Sequence, residues 1–140
     1  MTSTTSASDF TEFMAHRLAA STAFVNGDIE PLHQISTHTA PATLFGPQGH
    51  TVQGADRVNA VNAQGAAMFE PVATNGFEVM HQSADQHLAY WVGIQRAVVH
   101  MSGHAQPIPM DLRVTEIFRR EQSGWMLIHR HADRLSSEPD

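Results

Sequence analysis

The sequence predicts one α+β domain in which helices come first and a long antiparallel sheet comes last. Three observations carry this: an apolar stripe at helical spacing from Asp9 to Val25, a second helical stretch after Gly54, and alternating residue types from Phe77 onward. Helices gathered at the start and strands at the end indicate a curved antiparallel sheet wrapped around a helical layer, not a parallel doubly wound sheet. At 140 residues, with 41% apolar and 16% charged side chains, the chain is long and apolar enough for one genuine core.

Along the chain, Phe10, Phe13, Met14, Leu18, Ser21 and Val25 recur at steps of three and four, so helix one has one buried face. Asp9 with Glu12 three positions later resembles a capping box, and Asn26-Gly27 supplies the left-handed stop. Asp28 is expected to cap a second, shorter helix carrying Pro31 in its first turn and burying Leu32 and Ile35. Ala42 to Phe45 reads as a brief strand, ended by the turn Gly46-Pro47-Gln48-Gly49. A third helix is expected from Gly54 to Phe69, closed by Pro71. Four strands follow at Phe77 to Gln82, Leu88 to His100, Met110 to Arg120 and Trp125 to Asp133, turning at Ser83 to Gln86 and Glu121 to Gly124. Residues 1–8 and 134–140 are expected to be flexible ends.

Composition narrows the function classes. No apolar run approaches the roughly 18 to 20 residues of a spanning helix, and residues 1–8 lack the pattern of a secretory signal, so no membrane partner and a cytoplasmic location are expected. Zero cysteines exclude disulfides and thiolate chemistry. A net charge of −6 with only eight Lys plus Arg argues against nucleic acid and favours a small organic ligand. No phosphate-binding glycine loop or serine-hydrolase elbow is present.

Strand alternation sorts the polar residues. On the penultimate strand Leu112, Val114, Glu116 and Phe118 fall on one side, and Asp111, Arg113, Thr115 and Ile117 on the other. Asp111 and Arg113 can pair, or Arg113 can bind a ligand carboxylate while Asp111 acts as acid or base; a plain ion pair on a dimer or solvent face competes with both. On the last strand Trp125, Leu127, His129, His131 and Asp133 are expected to share one side, with Met126, Ile128, Arg130 and Ala132 opposite. His129 and His131 are therefore candidate proton shuttles, and their roots, roughly 7 Å apart, also suit chelation of zinc or iron with Asp133 as a third ligand. Hydrogen bonding across the sheet or in a dimer seam is the competing role. Neither His100 nor His104 has a placement from which to complete such a site, and no metal is assigned.

Tyr90 and Trp91 are adjacent on the longest strand and face opposite ways, so only one can stack on a ligand in a given pocket. Phe45, Met68, Phe69 and Phe77 are candidates for an apolar wall, or for an ordinary core. The loop from His100 to Pro109 is either a lid or a plain connection.

The order of two helices meeting at Asn26-Gly27-Asp28, a short strand, a helix after Gly54 and then four strands resembles the SnoaL-like and nuclear transport factor 2-like superfamily. The resemblance spans Asp9 to Asp133. Its most specific stretch is Arg113-Val114-Thr115-Glu116-Ile117-Phe118-Arg119-Arg120 followed by Trp125-Met126-Leu127-Ile128-His129-Arg130-His131-Ala132-Asp133. That ending is similar to the last strands of SnoaL-like domains of unassigned function and of the kinase association domain in the same superfamily. The resemblance implies a cone: an α+β roll whose bent sheet and three N-terminal helices enclose a pocket, commonly in a homodimer formed through the sheet. Steroid isomerase members carry a base carboxylate where this sequence has Gly46 and an oxyanion-holding tyrosine where it has Ala20, and their third polar group falls near Thr115. Fold alone transmits no activity.

Two classes of function stay open. One is a cofactor-independent binder of a small, mostly apolar metabolite that catalyses proton transfer of the isomerase, lyase or cyclase type, with Asp111, His129 or His131 as the acid or base. Arg113, Tyr90, Trp91, Thr115, Phe45 and Phe69 would then contact the ligand. The other is a non-catalytic ligand-binding or dimerisation module.

Overall fold

The computed structural model describes residues 3–136. The elements run α1 (Ser3–Val25), α2 (Glu30–Ile35), β1 (Thr43–Phe45), β2 (Thr51–Gln53), α3 (Ala55–Ala66), β3 (Phe69–Ala84), β4 (Leu88–Met101), β5 (Ile108–Glu121) and β6 (Gly124–Arg134). The expected α+β order holds. One curved, unclosed sheet takes the order β2-β1-β6-β5-β4-β3. It is mixed rather than wholly antiparallel, because β1 returns from the helices to lie parallel to β6.

The end of α1 forms as its sequence dictates, but Asp28 is not the cap of α2: Ile29 holds that position without a side-chain cap bond, and Asp28 Oδ1 accepts from the amide of Glu30, at the first residue of the helix, at 3.1 Å. Gly27 has φ 94°, the amide of Asp28 donates to the Ala23 carbonyl at 2.9 Å, and that of Gly27 to Phe24 at 3.0 Å. These bonds close α1 in a Schellman motif. A side chain at Gly27 would also meet the Phe69 carbonyl at 2.8 Å, so the corner fits only a glycine.

Asp9 is not a helix cap. The helix begins at Ser3, places Asp9 inside and leaves its carboxylate to pair with Arg120 at 2.7 Å. Of the two ends expected to be flexible, residues 1–2 and 137–140 lie outside the described residues. Strand β2 was not expected; three residues with one buried, Val52, are too few to register as alternation. Helix α3 stops at Ala66 rather than Phe69, and β3 starts at Phe69 rather than Phe77. Pro71 is tolerated there because β3 is an edge strand and its pairing skips from Glu70 to Thr74, a bulge in which Val72 takes φ 79°.

A second irregularity decides what the sheet presents inward. Ile117 of β5 pairs with His129 and the next residue, Phe118, with Leu127, so Ile128 is an extra residue. The side-chain alternation of β6 therefore changes phase at Ile128. Trp125 and Leu127 share the inner face with Arg130 and Ala132, and His129, His131 and Asp133 fall outside, contrary to a straight count along the strand.

Phe10 lies 5.5 Å from Phe118 and 5.7 Å from Trp125, an aromatic cluster at one end of the core. The other end of the layer between helices and sheet is open. Among the described residues no helix is long and apolar enough to cross a membrane.

Candidate functional site

A cavity of about 400 Å3 occupies the open end. Helix α1 contributes Arg17 and Ser21, α3 contributes Val61 and Gly65, and the β1–β2 hairpin contributes Leu44 and Val52. The inner face of the sheet adds Gln95, Leu112, Leu127 and Arg130. Most of this wall is aliphatic or aromatic; its polar side chains are Arg17, Ser21, Gln95 and Arg130, drawn from α1, β4 and β6, together with Asn62 of α3 and Gln48 and His50 of the β1–β2 turn.

Behind the polar side chains stands Glu116, fully buried at 0% exposure. Arg17 donates from Nε to Oε1 at 2.8 Å and from Nη2 to Oε2 at 2.7 Å, a two-pronged clamp. Arg130 Nη1 donates to Oε2 at 2.6 Å and Trp91 Nε1 to Oε1 at 2.7 Å. Burial pushes the Glu116 carboxyl upward, but the charges and hydrogen bonds of Arg17 and Arg130 outweigh it and hold it at about 2. Glu116 is thus a fixed anion rather than a proton carrier. Burial lowers the Arg130 guanidinium from its ordinary value, with Glu116 opposing that shift and Arg17 adding to it.

A hydrogen-bonded chain extends the cluster. Arg130 Nη2 donates to Gln95 Oε1 at 2.7 Å, and Gln95 Nε2 donates to Asn75 Oδ1 at 2.9 Å and Ser21 Oγ at 3.2 Å. Asn75 Nδ2 also donates to Ser21 Oγ at 3.1 Å. Within this cluster the buried Arg17 Nη1 has no hydrogen-bond partner among the described residues.

The residues singled out from sequence divide between two faces. Phe69 lies in the cavity wall, and Phe45 at its rim, its ring 5.0 Å from that of His129 and 5.5 Å from that of His131. Met68 also lines the cavity. Trp91 faces inward but is wholly buried against Phe77, 4.5 Å between ring centres, and Glu116. Asp111, Arg113, Thr115, Tyr90, His129 and His131 lie on the outer face. There Arg113 clamps Asp133 at 2.6 and 2.7 Å, and Asp111 accepts from Arg96 at 3.3 Å rather than pairing with Arg113. His129 Nδ1 lies 2.7 Å from Thr43 Oγ1, and Tyr90 OH lies 3.2 Å from His81 Nδ1. Partial burial, then the neighbouring His131, lowers the His129 imidazole from its ordinary value. Asp111, Arg113, His129 and His131 therefore do not converge on the cavity. Among the described residues no three His, Asp or Glu side chains are grouped to hold a metal ion.

The order of helices and strands and the sheet topology recur in solved structures. A candidate dehydratase of the nuclear transport factor 2-like family from Streptomyces avermitilis superposes with TM-score 0.75 at 20% identity, covering 93% of this chain and 98% of that one. A nuclear transport factor 2-like superfamily protein from Salmonella enterica serovar Typhimurium LT2 gives TM-score 0.76 at 12% identity, over 94% and 92% of the two chains. This chain has the nuclear transport factor 2-like fold. A CamKII hub homology domain from Chlamydamonas reinhardtii has the same fold, with TM-score 0.67 at 20% identity over 90% and 98%. No protein-family model matches the sequence. Nor does any curated protein sequence.

Within this fold, the cavity-side residues to which the sequence reading gave no functional role are Arg17, Ser21, Gln95, Glu116 and Arg130. Their signal was a polar residue in an apolar phase. Arg17 lies four positions after Phe13 and three after Met14 on the buried stripe of α1, and Glu116 stands between Val114 and Phe118 on the inner side of β5.

Proposed function

We propose that this chain binds a small, mostly apolar molecule in its cavity and retains it without transforming it. The observation that carries the reading is the 400 Å3 apolar cavity meeting one fixed, buried polar cluster. The groups read from sequence as bases, Asp111, His129 and His131, lie on the outer face, and the buried carboxylate is locked by two arginines. Retention therefore accounts for the cavity better than proton transfer does. Phe69 and Phe45 serve as wall and rim.

The neutral dye N-phenyl-1-naphthylamine tests this reading. The expected result is saturable fluorescence enhancement at one dye per chain, abolished by Val61→Trp, which places an indole in the wall of the cavity. Absence of saturable binding, or binding indifferent to that substitution in a folded variant, would overturn it.

A second reading, pairing of two copies through the outer sheet face, is compatible with the first. Its support is an outward row of Val92, Val98, Thr115 and Ile117 flanked by the pairs Arg96–Asp111 and Arg113–Asp133. The similar hub homology domain supports this reading as a precedent for assembly on this fold.

A further inference from the structure

The buried cluster carries an unbalanced charge. Arg17 and Arg130 are two cations, Glu116 is one anion, and no other acidic side chain lines the cavity among the described residues. One positive charge is left over at the polar end of an apolar chamber, where the low dielectric magnifies its attraction for an anion.

Two donors are also left over. Arg17 is 3% exposed and lines the cavity; Glu116 engages its Nε and Nη2, and Nη1 has no partner. Ser21 is buried, lines the same cavity, and accepts at Oγ from both Gln95 and Asn75, so its own proton remains to be donated. Residues 17 and 21 are one turn apart on α1 and stand side by side. A buried donor without an acceptor costs stability, so such groups call for an explanation.

We propose that the cavity takes an amphipathic organic acid, with its apolar body against Leu44, Val52 and Leu112 and its single carboxylate held by Arg17 and Ser21. This rests on the reading that the cavity binds a small apolar molecule. The charge count selects a monoanion: one carboxylate neutralises the surplus, whereas a doubly charged phosphate would reverse it. Arg130 contributes charge from behind and is kept in place by Gln95.

The test compares decanoate with 1-decanol, two chains alike except for the head group, by displacement of N-phenyl-1-naphthylamine from the full chain. Decanoate is expected to bind at least about tenfold more tightly, as charge-assisted hydrogen bonds in a buried site provide. Arg17→Gln removes that preference, read as the ratio of decanoate to decanol affinity within the variant; Ser21→Ala, a milder change, reduces the ratio several-fold. If Arg17→Gln does not fold, the wild-type comparison and Ser21→Ala still decide. Equal affinity of the two ligands in the wild type, or an undiminished preference for decanoate in Ser21→Ala and in folded Arg17→Gln, overturns the organic-acid assignment while dye binding keeps the cavity reading intact. Failure of the dye itself to bind removes the underlying reading as well.

Discussion

Arg17 and Glu116 are joined by two hydrogen bonds of 2.8 and 2.7 Å across 99 positions of chain, fastening the first helix to the inner face of the sheet. Because neither side chain reaches water, removing Glu116 leaves the charges of Arg17 and Arg130 uncompensated. Glu116→Gln is expected to lower unfolding free energy by about 3–5 kcal/mol, read from urea denaturation. A loss under about 1 kcal/mol would show that the two guanidiniums do not depend on this anion.

Acid stability follows from the same carboxylate. Its value in the fold is about 2 against an ordinary 4.5, so ionised Glu116 favours the folded state. The sign is that of a depressed acid: the contribution is complete above about pH 4.5 and disappears as pH falls through about 2. A shift of this size corresponds to roughly 3 kcal/mol. Urea midpoints between pH 5 and 2 should fall more steeply for the wild type than for Glu116→Gln, and parallel curves would contradict the assignment.

Gly93 gives a packing test. A Cβ there would come within 2.0 Å of the Glu78 carbonyl oxygen, where β3 crosses β4 beside a bulge. Backbone cannot swing aside as a flexible side chain can. Gly93→Ala is expected to destabilise by about 1–3 kcal/mol or more, measured as a lowered Tm.

Val72 should behave in the opposite sense. It holds φ 79° while 94% exposed, a conformation that a β-branched residue resists and that no packing rewards. Val72→Gly should raise stability by about 1 kcal/mol in urea titration, the relief of strain exceeding the added chain entropy.

The outer face can be probed separately from the cavity. Ile117→Arg adds a charge at the centre of the outward row, and light scattering is expected to report twice the 15.4 kDa chain mass for the wild type and a single chain mass for the variant. Dye binding should be unchanged. A monomeric wild type would refute pairing through this face.

What the sequence revealed depended on whether a signal was local. Phe10, Phe13 and Met14 announce α1 by their spacing, and Gly27 announces its end, since both patterns are complete within a few residues. Glu116 could be placed inward by counting along β5, but its partners lie on α1, β4 and β6, and nothing in spacing names them. The contents of the site were less legible than its walls. Phe69 and Phe45 stood out as bulky apolar residues, whereas Arg17 showed only as a polar residue on an apolar stripe and Arg130 turns inward only through the skip at Ile128. His129 and His131 were grouped on one side with Trp125 because alternation gives no notice of a skipped residue.

That skipped residue, Ile128, acts as a change of reading frame within a strand. Counted straight through from Trp125, the letters after it would furnish the chamber with two imidazoles; counted with the skip, they furnish a guanidinium. Residues 125–127 and 129–133 are thus two separately indexed half-strands. A designer who wishes to exchange the chamber's cation for imidazoles can start from the index rather than from the residues, and an alignment with a chain that lacks the bulge must place its gap at this position before inward and outward roles can be compared.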